Sequence, residues 1–128
     1  MAVRTLELME ERNILDHVRA VSPRFQQRLM ALGDHPLVGE ARGVGLVGAV
    51  ELVADKSTKR SFQPGEGVGP QCALRAESHG VIPRAIGDNM AFCPPLIITE
   101  SEIDEMFDRF TKGLDETEAW VEKEGLRG

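Results

Sequence analysis

The strongest structural signal in this sequence is a long amphipathic helix near its end. It begins with Thr99-Glu100-Ser101-Glu102, a capping box in which the threonine side chain accepts a hydrogen bond from the Glu102 amide and the glutamate reaches back. One apolar face then continues through Ile103, Met106, Phe107, Phe110, Leu114, Thr117 and Val121. A stripe of this kind is more typical of a core than of a partner site. The pattern predicts a helix over residues 99–125, with Trp120 at the edge of the buried face.

The first third of the chain is also predicted to be helical. Apolar residues recur at three- or four-residue steps from Leu6 to Leu32, except for a gap around Asn13 that indicates a helix break or a change of face. Ser22-Pro23 leaves two alternatives open, a proline inside one helix or the N-cap and first residue of a new helix. Gly33 is expected to end the helical region.

A first strand pair is predicted over the segment from Val38 to Val53. Valine and leucine are dense there, and Gly43, Gly45 and Gly48 interrupt them. Glycine costs a helix ~1 kcal/mol per residue, so two strands with a bend or bulge at the first two glycines are favoured. Gly48 is expected to let another backbone or ring approach closely. The three glycines have GxGxxG spacing, but no helix start follows them, so a phosphate-binding loop is not predicted.

A polar surface loop is predicted from Ala54 to Gly67. The cluster of Lys56, Lys59 and Arg60 in this loop is interpreted either as an anion contact or, preferably, as a solvated surface. A short helix is expected to follow from Val68 to His79, with Gly80 closing it.

A second strand pair is predicted within the mostly apolar segment from Gly80 to Leu96. Val81-Ile82 is expected to enter as one strand, Asp88-Asn89 to reverse the chain as turn formers only, and Met90 to Cys93 to leave as the other strand, with both of those end residues in the core. Pro94-Pro95 ends the pairing, because neither proline can donate to a ladder. Arg84 is the only cation of this segment and is the candidate functional residue.

The resulting order is helix, strand pair, helix, strand pair, helix. This order predicts an α+β fold in which a small, largely antiparallel sheet is covered by helices. A length of 128 residues suits a single domain, 1–128, which divides into a helical lead-in (1–33), two strand pairs with a connecting loop and helix (38–98), and the final helix (99–125).

Composition excludes several classes of function. The net charge of −6 argues against non-specific binding to nucleic acid or to anionic membranes, both of which need a basic face. No apolar run approaches the ~20 residues of a membrane span, and the N-terminus lacks the apolar region of a signal peptide. Cys72 and Cys93 are expected to be buried free thiols of a cytoplasmic protein. The three histidines show no metal-binding spacing.

Several segments resemble the small C-terminal domain of class III pyridoxal-phosphate-dependent aminotransferases. RGVGLVGAVEL, from Arg42 to Leu52, is similar to a strand pair of that domain with the pattern Arg-Gly-x-Gly-Leu, then Gly-x-x-Glu-Leu. HGVIPRAIGDNMAFCPPLIIT, followed by ESEIDEMF, resembles the next strand pair and the final helix. RTLELMEERNILDHV resembles the helix that leads from the large cofactor domain into the small one. The nearest subgroup is that of omega-amino acid:pyruvate or amine:pyruvate transaminases.

The resemblance implies a fold like the C-terminal domain of fold-type I pyridoxal-phosphate-dependent transferases, and it implies an activity. Such enzymes move an amino group between an amine or omega-amino acid and a keto acid such as pyruvate, using pyridoxal phosphate in a homodimer. Arg84 matches an arginine that binds the substrate carboxylate and swings aside for an uncharged amine. A guanidinium suits that role, because it stays charged and offers two parallel donors.

The resemblance also implies that the catalytic residues lie outside this sequence. The family's catalytic lysine, its pyridine-nitrogen aspartate and its phosphate-binding loop belong to the large domain. None of Lys56, Lys59, Lys112 and Lys123 lies in an apolar setting that would lower its pKa for Schiff-base chemistry. We therefore expect no catalytic, cofactor-binding or metal-binding residue in this chain, no stably bound pyridoxal phosphate, and no activity without the large domain and a second subunit.

Two functions remain open at this stage. The first is the small domain of a dimeric transaminase, and the second is a non-catalytic α+β module that binds a small carboxylate at Arg84 or at the loop cations. For Arg42 a structural salt bridge or backbone contact is favoured. Separation from a large domain is also expected to leave apolar surface of the first helix exposed.

Overall fold

The computed structural model describes all residues, 1–128, and confirms the predicted α+β fold. Helices, strands and short 3₁₀ turns follow one another in the predicted order: α1 (Ala2–Glu11), α2 (Ile14–Ala31), a 3₁₀ turn (Leu32–Asp34), β1 (Val38–Val44), β2 (Val47–Leu52), a 3₁₀ turn (Pro64–Glu66), α3 (Val68–Ser78), β3 (Arg84–Ile86), β4 (Asn89–Phe92) and α4 (Glu100–Glu124). No helix combines the length and the apolarity that crossing a membrane requires.

The four strands form one antiparallel sheet in the order β1-β2-β4-β3. Because side chains alternate along a strand, each strand presents one set of residues to the helices and the other set to the opposite face. Val50, Met90 and Phe92 point toward the helices and are buried, whereas Val47 and Ile86 on the opposite face are exposed. The sheet is therefore covered by helices on one face only.

The core lies between the inner face of the sheet and the helices α2, α3 and α4. The ring of Phe92 on β4 meets Phe110 edge-on at 4.8 Å between centroids and Phe107 at 5.4 Å. Phe25 on α2 packs against Phe107 at 5.3 Å. These aromatic contacts join the sheet, α2 and α4 into a single core.

The final helix has the predicted start and end. The Glu102 amide donates to Thr99 Oγ1 at 3.3 Å, and the Thr99 amide donates to the Glu102 carboxylate at 3.1 Å. The predicted stripe is buried, apart from Met106, which is partly buried. Gly125 ends the helix in the left-handed conformation at φ 66°.

The helical lead-in is broken at Asn13 and continuous through Pro23. Asn13 adopts the left-handed conformation at φ 50°, which separates α1 from α2. Pro23 lies inside α2, so the alternative of a new helix starting there is wrong. No residue of α1 is buried, and Val3 and Leu6 are exposed, in agreement with the expected apolar surface on the first helix.

The helical stretch ends where it was predicted to end, with Leu32 as the C-cap and Gly33 as the next residue, but Gly33 does not adopt the left-handed conformation of a glycine cap. α2 ends at Ala31, and the chain tightens into the 3₁₀ turn, which the His35 amide closes by donating to the Leu32 carbonyl at 3.0 Å. Because this turn needs no left-handed residue, no glycine is required at the helix end.

The two hairpin turns are displaced from their predicted positions. The bend in the first hairpin lies at Gly45-Leu46, with Gly45 at φ 58°, and the irregular register lies at the start of β1 instead. In the second hairpin β3 begins at Arg84, because the Val81 amide still donates to the Ala76 carbonyl of α3 and Pro83 has no amide proton. The reversal there occurs at Gly87-Asp88, with Gly87 at φ 60°.

The structure corrects the predicted burial of Cys93, refines that of the polar loop, and contains the close approach expected at Gly48. Cys93 is exposed and not in the core, because β4 ends at Phe92 and the chain turns away toward the prolines. The loop from Ala54 to Gly67 is mostly exposed, but Phe62 is buried within it. Gly48 allows the expected close approach, and the approaching group is the Leu29 side chain, whose Cδ2 would lie 2.3 Å from an added Cβ.

Candidate functional site

An open groove of about 850 Å³ runs along the β3 edge of the sheet. Its walls come from the chain before β3, the outer face of the sheet, the segment after β4 and the first turns of α4. The lining is largely apolar and includes Ile82, Ile86, Ala91, Pro94 and Met106. A groove of this composition suits the apolar part of a small ligand, and any specificity must come from its few polar groups.

Arg84 is the uncommitted cation of this groove. It is the first residue of β3, lies opposite Ala91 on β4, and is exposed. Its guanidinium makes no hydrogen bond and no ion pair with the chain. The other arginine of the groove, Arg109, is held by the His79 carbonyl at 3.2 Å and by the Glu105 carboxylate at 2.5 Å. Arg84 is therefore the groove cation available to an anionic ligand.

The turn that follows Arg84 makes tertiary contacts that the sequence did not predict. The Asp88 side chain accepts a hydrogen bond from the Gly69 amide at 2.8 Å, and the backbone carbonyl of Asp88 accepts one from the Leu52 amide at 2.9 Å. Asn89 Oδ1 accepts from Arg42 at 3.3 Å. Asp88 and Asn89 therefore do more than reverse the chain. The helix start at Val68, after a glycine with no capping side chain, was the available signal that an acceptor had to come from elsewhere.

Arg42 lies on the same outer face of the sheet as Arg84. It is paired with Ala49 in the register, and Ala49 with Ala91, so one row crosses all four strands between the two arginines. Arg42 contacts the carboxylates of Glu40 and Glu51, both at 3.4 Å. Its positive charge is thus committed to one carboxylate of its own strand and one of the neighbouring strand β2, which matches the structural interpretation favoured for it.

The loop cations do not converge on a common point. Lys56 Nζ donates to the backbone carbonyls of Gly33 at 2.5 Å and His35 at 3.1 Å. Arg60 donates to the Arg127 carbonyl at 2.5 Å. These contacts tie the loop to two separate parts of the fold, so the solvated-surface interpretation describes it better than an anion site.

The two thiols lie in opposite environments. Cys72 is buried on α3, and burial raises the pKa of its thiol to about 11. Cys93 is exposed at the groove. No three or more histidine, cysteine or acidic side chains are grouped so as to hold a metal ion.

The sequence of residues 1–114 matches the profile of the family described as aminotransferase class-III. The chain belongs to the class III aminotransferase family. It is 42% identical over 123 residues to the gamma aminobutyrate transaminase 3, chloroplastic, of Solanum lycopersicum, covering 96% of this chain and 24% of that protein. It is 44% identical over 122 residues to a putrescine–pyruvate aminotransferase of Pseudomonas aeruginosa, covering 94% of this chain and 26% of that protein.

Solved structures of transaminases share the fold of this class III aminotransferase chain. A transaminase with L-alanine superposes with a TM-score of 0.88 at 42% identity, covering 94% of this chain and 28% of that one. The omega transaminase of Pseudomonas jessenii in complex with PMP gives a TM-score of 0.84 at 44% identity, covering 91% and 26%. The resemblance found in the sequence is confirmed, and this chain spans about a quarter of the length of its curated relatives.

No lysine of this class III aminotransferase chain has the surroundings of a lysine that forms a Schiff base with pyridoxal phosphate. All four lysines, Lys56, Lys59, Lys112 and Lys123, are exposed, and none of them lines the groove. A lysine that forms a Schiff base needs a desolvated setting or a neighbouring cation that lowers its pKa.

Proposed function

We propose that this chain is the small-domain portion of a pyridoxal-phosphate-dependent class III transaminase and that Arg84 binds the substrate carboxylate. The reaction transfers an amino group between an amine or omega-amino acid and a keto acid such as pyruvate. The carrying observation is the free Arg84 guanidinium beside an apolar groove of about 850 Å³. A carboxylate placed there receives two parallel charge-assisted hydrogen bonds, while the apolar lining holds the rest of the substrate.

The chemistry of amino transfer takes place on a large domain outside this chain. Pyridoxal phosphate, when bound, supplies the electron sink for that chemistry. The uncovered face of the sheet and the open groove then form one wall of a site that a large domain and a second subunit of a homodimer complete. By itself the chain is inactive and does not bind the cofactor stably. Its cytoplasmic location remains a prediction, which subcellular fractionation with an antibody against the chain tests.

Replacement of Arg84 in the complete enzyme tests the carboxylate role. A hydrogen bond to a charged group contributes about 1.5–3 kcal/mol, so Arg84→Ala should lower kcat/KM for carboxylated donors by roughly 10–100-fold. Uncharged amines should lose little. Arg84→Lys keeps the charge but loses the planar pair of donors, and an intermediate loss is expected.

Arg12→Ala is the matched control, because Arg12 is another exposed arginine without a partner in the chain and lies outside the groove. It should leave the ratio of the two kcat/KM values unchanged. Equal losses on carboxylated and uncharged donors in Arg84→Ala would show that the carboxylate role is wrong.

Two binding measurements on the purified chain distinguish a transaminase small domain from a non-catalytic binding module. Titration with pyridoxal phosphate should give no stable aldimine absorbance band, and a stoichiometric band would contradict the proposed inactivity. Tight, Arg84-dependent binding of a small carboxylate by the chain alone would favour the stand-alone binding module instead.

A further inference from the structure

The hairpin that carries Arg84 is attached to a helix that has no capping side chain of its own. The N-cap of α3 is Gly67, and the first amides of a helix need acceptors from outside the helix. The Gly69 amide receives its acceptor from Asp88 Oδ1 at 2.8 Å, although Asp88 lies 19 residues further along the chain. The carboxylate charge at this position is also favourable, because the N-terminal end of a helix carries partial positive charge.

The contact between α3 and the hairpin turn is too close for any side chain at residue 69. A Cβ there would lie 2.0 Å from the Gly87 carbonyl oxygen and 3.0 Å from the Asp88 Cα. The same turn is tied to β2 through the hydrogen bond from the Leu52 amide to the Asp88 carbonyl, 2.9 Å long. Asp88 therefore joins α3, β2 and the second hairpin at one point.

Arg84 depends on this junction more than its position in a sheet suggests. Strand β3 has three residues, lies at the edge of the sheet and pairs only with β4. Few ladder hydrogen bonds consequently hold the backbone of Arg84. Pro83 precedes Arg84 and cannot donate a hydrogen bond to a strand ladder.

We propose that Asp88 is a positioning residue for Arg84: its carboxylate caps α3 and thereby fixes the strand from which the guanidinium reaches into the groove. This inference rests on the proposed carboxylate role of Arg84. The anchoring itself is independent of that role and is measured separately.

Amide hydrogen exchange of the 128-residue chain tests the anchoring. In the unmodified chain the Gly69 amide, which donates to Asp88 Oδ1 at 2.8 Å, should be protected from exchange. In Asp88→Ala the β3 amides paired with β4 should exchange about fivefold faster relative to the α4 amides, which corresponds to about 1 kcal/mol at 1.4 kcal/mol per tenfold. Asp88→Asn keeps an acceptor of the same length and should stay within about twofold of the unmodified chain.

Asp55→Ala is the matched control, because Asp55 also accepts a backbone hydrogen bond, from the Ser57 amide at 2.8 Å, but in the polar loop. It should leave the exchange of β3 unchanged relative to α4. A Gly69 amide that is unprotected in the unmodified chain would overturn the inference without any variant. Equal acceleration in β3 and α4 in Asp88→Ala would overturn it as well.

The complete enzyme then connects the anchoring to substrate selection. In Asp88→Ala the KM for a carboxylated donor should rise about fivefold with little change in kcat, and kcat/KM for an uncharged amine should be retained. In Asp88→Asn the KM for the carboxylated donor should stay close to that of the unmodified enzyme. If Arg84→Ala loses activity equally on carboxylated and uncharged donors, the proposed function fails while the exchange data still decide the anchoring. If the loss in Arg84→Ala is selective for carboxylated donors and Asp88→Ala shows no such selective loss, only the positioning role is wrong.

Discussion

Gly113 lies in the middle of the longest helix, where local propensity and tertiary packing predict opposite results for the same substitution. An alanine in an exposed helix interior is more stable than glycine by about 1 kcal/mol. Gly113, however, is buried where α4 crosses α3. A Cβ at this position would lie 2.7 Å from the amide nitrogen of Ala76 and 2.8 Å from its Cα. Gly113→Ala is therefore expected to destabilise the chain despite the better helix propensity.

The magnitude follows from the shift that the contact would require. Ordinary contact begins at 3.4 Å, so an added Cβ 2.7 Å from Ala76 forces the two helices about 0.7 Å apart. The neighbouring atoms belong to the backbone, which cannot rotate away as the end of a side chain can. Overpacking of this kind costs about 1–3 kcal/mol, which equals or exceeds the propensity gain of about 1 kcal/mol. Removing the neighbouring side chain in Ala76→Gly should give no rescue, because the clash is with the main chain.

Equilibrium unfolding in urea measures this prediction, with the adjacent exposed Lys112 as the control. Lys112→Ala should be more stable than Lys112→Gly by about 1 kcal/mol, which gives the propensity difference in the same helix without the contact. Gly113→Ala should lie up to about 2 kcal/mol below the unmodified chain with an unchanged urea slope, since the propensity gain offsets part of the overpacking cost. A Gly113→Ala chain more stable than the unmodified one by the full difference between Lys112→Ala and Lys112→Gly would refute the close approach of α3 and α4.

Two further predictions concern titrating groups. Arg24 donates to Asp104 at 2.7 and 2.9 Å and holds the pKa of that carboxyl below its usual value. The pair therefore stabilises the fold fully at pH values above the unfolded pKa of about 4. This stabilisation is lost as the pH falls through the lower native pKa. Asp104→Asn should flatten the loss of urea stability in acid, and an unchanged acid limb would contradict the ion pair. Exposed Cys93 should react promptly with an aromatic disulfide reagent at pH about 8, whereas buried Cys72, its pKa raised to about 11, should react only after urea unfolding. Prompt release of two equivalents of thiolate would show that α3 opens in the native chain.

Much of the secondary structure could be predicted because its determinants lie close together in the sequence. The capping box places Thr99 and Glu102 three residues apart, and the helical stripe repeats every three or four residues. The order of elements, and with it the α+β class, followed from these local patterns. The errors lie at element ends: β3 begins at Arg84 because Val81 still bonds to α3, a contact that no local preference of valine encodes.

The candidate site was only partly predictable for the same physical reason. Arg84 stood out as a lone cation in an apolar segment. Whether its guanidinium has a partner, however, depends on which side chains and carbonyls from other segments lie near it in the folded chain. Cys93 was expected in the core together with Met90, but it directly follows buried Phe92 at the end of β4, where strand alternation favours the uncovered face, and it is exposed. The environment of Arg84, by contrast, is decided by segments that are distant in the sequence.

The sequence by itself determined that this chain has a capped final helix and two strand pairs, because short-range hydrogen bonds and periodicity decide those features. The tertiary structure alone decided that β4 lies inside the sheet with β3 at its edge, and that the turn at Asp88 docks on α3. Those arrangements depend on contacts between segments 19 or more residues apart, one of which is the Asp88 side chain with the Gly69 amide. Capping and periodicity describe only residues that are close together in the sequence, so they carry little information about such contacts.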